Sequence, residues 1–131
     1  MNISKLKERR LEHRYPIQLP IDLVLDDGTI LSVEACNIST QSIQFKCDSY
    51  IANEIEPRGI QKCPQDQIQL KMVANLPLEE VKKVYARCKV VVARRLSQDK
   101  YILGLEFLDF EAGSDKALYR YIKECSQQTS V

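Results

Sequence analysis

The chain has 131 residues, 44% of them apolar and 28% charged, which suits one globular domain able to bury its own core and leaves no second domain expected. Nineteen basic residues stand against eighteen acidic ones, so the field that draws a whole protein to nucleic acid or to an anionic membrane is absent, and any anion site has to be local. No apolar run approaches the length that crosses a bilayer, and the first fifteen residues are too charged for a signal-peptide core; a soluble, cytoplasmic protein with no membrane insertion is expected.

The chain opens on an arm. Lys5, Lys7, Arg9, Arg10 and Arg14 face only Glu8 and Glu12, and nothing there alternates, so residues 1–15 are expected outside a domain spanning 16–127. Ile17, Leu19, Ile21, Leu23 and Leu25 then alternate with polar residues as in a half-buried strand, with Pro20 marking a sheet edge or a bulge. Asp27-Gly28 predicts a two-residue turn, and Leu31, Val33 and Ala35 complete a hairpin. Ile43, Phe45 and Cys47 form a third strand, and Ile68, Leu70 and Met72 a fourth. The polar stretch between Asp48 and Asp66, with Pro57, Gly59 and Pro64, is long for a connection and holds either a short helix or a mobile lid.

A long fifth strand runs from about Val84 to Leu96, with Ala86, Cys88, Val90 and Val92 on one face. Ser97 to Lys100 turn the chain into a sixth, where Tyr101, Leu103, Leu105 and Phe107 alternate. Six strands joined mostly by turns predict an antiparallel sheet or barrel. Ser114 is a good N-cap, Asp115 suits a first turn, and Ala117, Leu118, Tyr121, Ile122 and Cys125 fall on one face of a C-terminal helix that would close a barrel mouth.

Five scattered cysteines, Cys36, Cys47, Cys63, Cys88 and Cys125, include no C-x-x-C pair and have only His13 as an imidazole companion. They are expected to be reduced, small hydrophobes, with no metal site and no disulfide framework. An enzyme is the least supported class: the one histidine lies in the arm, no Gly-rich phosphate loop exists, and no carboxylate pair stands out.

Two clusters carry the candidate chemistry. Arg10 and Arg14 are four apart, about 6 Å from each other on a helical turn, or on one side of an extended segment roughly 13 Å apart. Either spacing fits two phosphates or a phosphate and a base, and arginine's planar fork binds phosphate, pairs with the guanine O6/N7 edge and stacks on purines. The second cluster, Asn37 to Ser42 (NISTQS), falls between the second and third strands. Its short polar side chains either cap a turn or, with Asn37 and Ser39 pointing outward beside the arm, complete a nucleotide site.

R-x-x-x-R, then Asn37-x-Ser39 in the manner of a D/N-x-S-x-x-G motif, then a late strand YILGLEFLDF and a terminal helix, resemble the PilZ domains from Glu8 to about Glu124. The resemblance implies a six-stranded antiparallel β-barrel with a basic N-terminal arm and a C-terminal helix, acting as a bacterial receptor for cyclic di-GMP. It implies that Arg10 and Arg14 bind phosphates and guanine faces or Hoogsteen edges. It places Asn37 on a guanine Watson–Crick edge with Ser39 hydrogen-bonding the ligand nearby, lets Arg9 favour two stacked ligand molecules, and makes Gly104 a structural position. Ser42 stands where the family has glycine; were that position left-handed or in backbone contact with ligand, serine would add strain of about 1 kcal/mol or more. The resemblance also implies signalling through an unidentified protein effector in motility, adhesion, biofilm or exopolysaccharide control. The alternatives are a degenerate PilZ domain that binds protein without nucleotide, and a barrel that binds RNA or single-stranded DNA through Lys82, Lys83, Arg87, Lys89, Arg94 and Arg95. These last residues read more simply as a solvated strand face, so no nucleic acid is expected.

Overall fold

A computed structural model describes residues 13–62, 68–78, 80 and 82–129; Arg9, Arg10 and Cys63 lie outside the described residues. Six strands, β1 (Tyr15–Val24), β2 (Ile30–Ile38), β3 (Ser42–Cys47), β4 (Gln69–Leu76), β5 (Lys82–Ser97) and β6 (Lys100–Phe110), close into an antiparallel barrel in the order β1-β2-β3-β6-β5-β4. The alternating apolar positions point inward because side chains on a pleated strand switch faces at every residue. Leu23, Ile43, Phe45, Met72, Val84, Leu103 and Leu105 are wholly buried there.

Pro20 sits where its missing N–H costs least. β1 pairs with β2 from Tyr15 onward, with a register shift between Pro16 and Leu19, but with β4 only from Ile21. The proline therefore lies on a stretch of strand paired on one side. The β1–β2 hairpin differs from the predicted two-residue turn. Gly28 N–H donates to Leu25 O at 2.9 Å, Leu25 N–H to Thr29 O at 2.9 Å, and Gly28 has φ +90°. This is a three-residue loop, Asp26-Asp27-Gly28, built on a tight turn whose last residue needs the left-handed region that glycine supplies.

Val92 also departs from expectation. A register shift between Val90 and Val92 inserts an extra residue, and beyond it Val92 faces outward over Gly104, where an added Cβ would lie 3.1 Å from Val92 Cβ. Gly104 is thus a packing position, as expected, and Ala93 takes over contact with the core.

The polar stretch after β3 resolves in favour of a short helix, α1 (Ser49–Ile55), capped by Asp48, whose carboxylate accepts from Ile51 N–H at 2.9 Å. It begins just past the Cys47 end of β3 and packs on β3 and β6, while Asp99 in the β5–β6 turn accepts from Ser49 N–H and Oγ–H. The terminal helix α2 (Ser114–Thr129) buries Leu118, Tyr121, Ile122 and Cys125 against β1, β4 and β5 at the opposite mouth. Ser114 does not act as the predicted cap. It is buried, and its hydroxyl accepts from Tyr85 N–H of β5 at 3.0 Å, while Tyr85 O accepts from Glu111 N–H at 3.1 Å. The serine pins the start of the helix to the barrel wall.

Cys47 and Cys88 are buried in the barrel, Cys125 is buried on the inner face of α2, and all are free thiols, as is the partly exposed Cys36. Burial pushes the Cys47 thiol up to about 11 and the Cys88 thiol to about 12. At pH 8 the thiolate that attacks an alkylating reagent is then populated at Cys47 on the order of one part in a thousand. Iodoacetamide should label Cys36 in the native protein and reach Cys47 and Cys88 only as the domain unfolds; peptide mapping that finds Cys88 modified as fast as Cys36 would contradict this packing.

Candidate functional site

The register of the barrel decides which polar residues meet. Along β2, Leu31 and Ala35 face the core, and simple alternation would send Asn37 inward after them. A register shift between Ala35 and Asn37 leaves Cys36 as the extra residue, so Ile38 becomes the buried one and Asn37 turns to the outer face opposite Gln44. The chain enters β1 at the same end of the barrel, since Tyr15 pairs with Ile38 and Pro16 with Asn37.

Arg14 therefore leaves β1 directly beside the β2–β3 turn. Its Nη1 donates to Asn37 Oδ1 at 2.9 Å and its Nη2 to Ser42 Oγ at 2.5 Å. Asn37 in turn donates from Nδ2 to Gln44 Oε1 at 2.8 Å. One step back along the chain, the His13 ring stacks on Tyr15 with centroids 6.3 Å apart.

Three of the six predicted site residues, Arg14, Asn37 and Ser42, thus form one connected cluster at the barrel end. Arg9 and Arg10 lie outside the described residues. Ser39 does not point outward as expected. It is wholly buried, and its hydroxyl accepts from Ser42 N–H at 3.1 Å and Gln41 N–H at 3.2 Å, while Ser39 N–H donates to Ser42 O at 2.8 Å. Gln41 O accepts from Phe107 N–H at 2.9 Å, which ties the turn to β6. The local bonding of a serine to its own turn is the ordinary chemistry of this residue type, and here it fixes the backbone from which Ser42 projects.

The strain expected of a left-handed residue is absent at Ser42. Among the described residues only glycines, Gly28, Gly59 and Gly113, have positive φ, and Ser42 begins β3 in extended backbone. Its side chain instead serves as an acceptor for Arg14. Gln44 is not identifiable from sequence because its part depends on pairing across strands; the available signal is its position two residues past Ser42, on the same face of β3.

Chemically, the cluster offers a cationic planar fork, an amide with a donor and an acceptor end, and hydroxyl oxygens. Among the described residues no group of three potential metal ligands comes together, and no helix is long and apolar enough to cross a membrane.

A family model described as the PilZ domain matches residues 8–124. The chain belongs to the PilZ family. Its fold is similar to that of the Bacillus subtilis inhibitor of motility MotI/DgrA (TM-score 0.66, 20% identity, covering 92% of this chain and 51% of the other). It is similar too to the PilZ domain of Escherichia coli YcgR solved with c-di-GMP (TM-score 0.63, 13% identity, 92% and 94%). A third likeness is to Borreliella burgdorferi PlzA in complex with c-di-GMP (TM-score 0.59, 12% identity, 98% and 57%). This PilZ domain spans about half the length of MotI/DgrA and nearly all of the YcgR domain. No curated protein sequence matches it significantly.

The Ser39 hydroxyl is the polar centre of the turn, so Ser39→Ala should leave the buried Ser42 N–H without its acceptor and cost about 1–3 kcal/mol. The midpoint of urea unfolding should fall at unchanged slope; stability within a few tenths of a kcal/mol of wild type would show that the turn does not depend on it.

Proposed function

We propose that this PilZ domain is a non-catalytic receptor for cyclic di-GMP that changes conformation on binding and passes the signal to a protein effector. The observation that carries the reading is the meeting of Arg14 with Asn37 and Ser42 across 23 and 28 residues of sequence, at positions that match the two family motifs. The c-di-GMP-bound YcgR domain and PlzA, which share the fold, support the choice of ligand. Arg10 and Arg14 take the phosphates and the guanine faces or Hoogsteen edges, where a guanidinium fork makes charge-assisted bidentate contacts. Asn37 reads a guanine Watson–Crick edge. Ser39 holds the turn beneath the ligand, and Ser42 lies at its margin. Binding would draw Arg14 from its neutral partners toward phosphate, which is the conformational step.

A second reading has its own support. Ser42 replaces the family's glycine, and both terminal nitrogens of Arg14 are already bonded within the domain. That arrangement suits a PilZ domain that contacts protein without nucleotide. Titration with cyclic di-GMP, with GTP and GMP as controls, separates the two.

Arg14→Ala should weaken cyclic di-GMP at least tenfold, since a hydrogen bond to a charged group contributes about 1.5–3 kcal/mol. Arg14 is exposed, so the variant should keep the wild-type unfolding midpoint. Arg10→Ala should behave alike; calorimetry showing undiminished binding in both variants would refute the assignment. Arg9 bears on stoichiometry. Wild type is expected to bind two ligand molecules at saturation and Arg9→Leu one, and a wild-type ratio of one would remove that role.

A further inference from the structure

The register of β3 against β6 sets a carboxylate beside the Arg14 cluster. Ser42 pairs directly with Glu106, and the next pair, Ile43 with Leu105, is wholly buried in the core. Faces alternate along a strand, so Ser42 and Glu106 share the outer face with Cβ atoms about 5 Å apart. Ser42 Oγ is also the acceptor of Arg14, so the order across the outer wall is Arg14, Ser42, Glu106. Lys89 on β5 comes next, with Nζ 3.7 Å from Glu106 Oε1. That separation makes an ion pair but exceeds a hydrogen bond. Asp109, on the same strand, instead takes two N–H groups of Arg87. Among the described residues no side chain donates a hydrogen bond to Glu106, which is half-exposed and keeps both oxygens open to a ligand while Lys89 offsets its charge.

Two open acceptors side by side select one kind of base. On its Watson–Crick edge guanine presents two adjacent donors, N1–H and the 2-amino group. Adenine has no N1–H, and hypoxanthine, the base of inosine, has no 2-amino group. A carboxylate accepts at both oxygens and donates at neither, so its fork matches the guanine pair and needs no choice of orientation. We infer that Glu106 is a specificity-determining residue of the receptor site, its carboxylate accepting from N1–H and the 2-amino group of a guanine seated beside Ser42. The inference rests on the receptor reading of the domain. Cyclic di-GMP carries two guanines, so this contact adds to the one at Asn37. Lys89 supplies the counter-charge that lets a carboxylate stand next to an anionic ligand, a use beyond the small stabilisation an exposed cross-strand pair contributes.

The test is the ratio of affinities for cyclic di-GMP and its inosine analogue, which keeps O6 and N1–H and lacks the 2-amino group, measured by calorimetry on the full chain. Wild type should prefer the guanine ligand by about tenfold, the discrimination a well-made bidentate contact carries. Glu106→Gln keeps the shape and removes one acceptor, so the ratio should fall toward one. Lys89→Met keeps the carboxylate without its counter-charge; it should weaken both ligands together and hold the wild-type ratio. Both side chains lie on the outer face, and thermal unfolding should show both variants as stable as wild type. A wild-type ratio near one would overturn the inference and leave the receptor reading standing. So would a Glu106→Gln protein that binds both ligands more tightly by one factor, as loss of a merely repulsive charge would cause, or a Lys89→Met ratio that falls as far as that of Glu106→Gln. Wild type binding neither ligand would remove the receptor reading itself, and the inference with it.

Discussion

Barrel closure is the constraint on which everything else rests. Ile21 to Val24 of β1 pair with Ala74 to Lys71 of β4, joining segments far apart in sequence, and so close an open sheet into a ring over that stretch. The same closure explains the site. β1 is held on both sides only over its second half, and its first half is held by β2 alone. The chain therefore reaches the barrel along β2, and Arg14 stands beside the last residues of that strand and the β2–β3 turn. A residue preceding the core is placed by the strand it leads into.

Strand existence was legible because each strand needs only its own alternation; β1, β3 and β4 carry it throughout and β6 as far as Phe107. Bulges were not. Whether Cys36 is an extra residue in β2, or where β5 slips between Val90 and Val92, is decided by the partner strand, and a single strand's pattern carries no record of it. Both bulges flip the face of the residues beyond them, which is why alternation places Val92 inside and the barrel places it outside. Ser114 shows a related limit. A serine at a helix start has the same composition whether its oxygen caps the helix or accepts from a neighbouring strand, and only the packing of α2 against β5 chooses. In the candidate site, Arg14 and Asn37 were readable as residue types at a separation, while Gln44 belongs to the cluster solely through cross-strand register.

The cluster also dissolves the contrast between a turn-forming and a ligand-binding account of Asn37 to Ser42. Under the receptor proposal the two uses are divided by residue. Ser39 commits its hydroxyl to the turn, and that bonding is what holds Asn37 and Ser42 at a common edge with their side chains directed at Arg14. Under the receptor proposal, the site is organised by a residue that serves the turn, Ser39, as much as by those that would face the ligand.

What holds Arg14 matters more than that it is held. Two surface arginines take carboxylates, Arg58 with Glu56 and Arg87 with Asp109, each at 2.7 Å, while Arg95 takes the backbone carbonyls of Ser97 and Gln98. Arg14 has instead an amide oxygen and a hydroxyl. Hydrogen bonds between two ionised groups are roughly twice as strong as those between neutral ones, so a carboxylate at position 37 or 42 would compete with an incoming phosphate on nearly equal terms. Neutral acceptors give the guanidinium a defined resting place without cancelling its charge. In a chain whose total charge is close to zero, a guanidinium with no carboxylate partner among the described residues would, under the receptor proposal, supply the local anion field that composition alone denies. An anionic ligand then needs only to offer Arg14 a stronger acceptor than an amide and a hydroxyl, and phosphate oxygens do so.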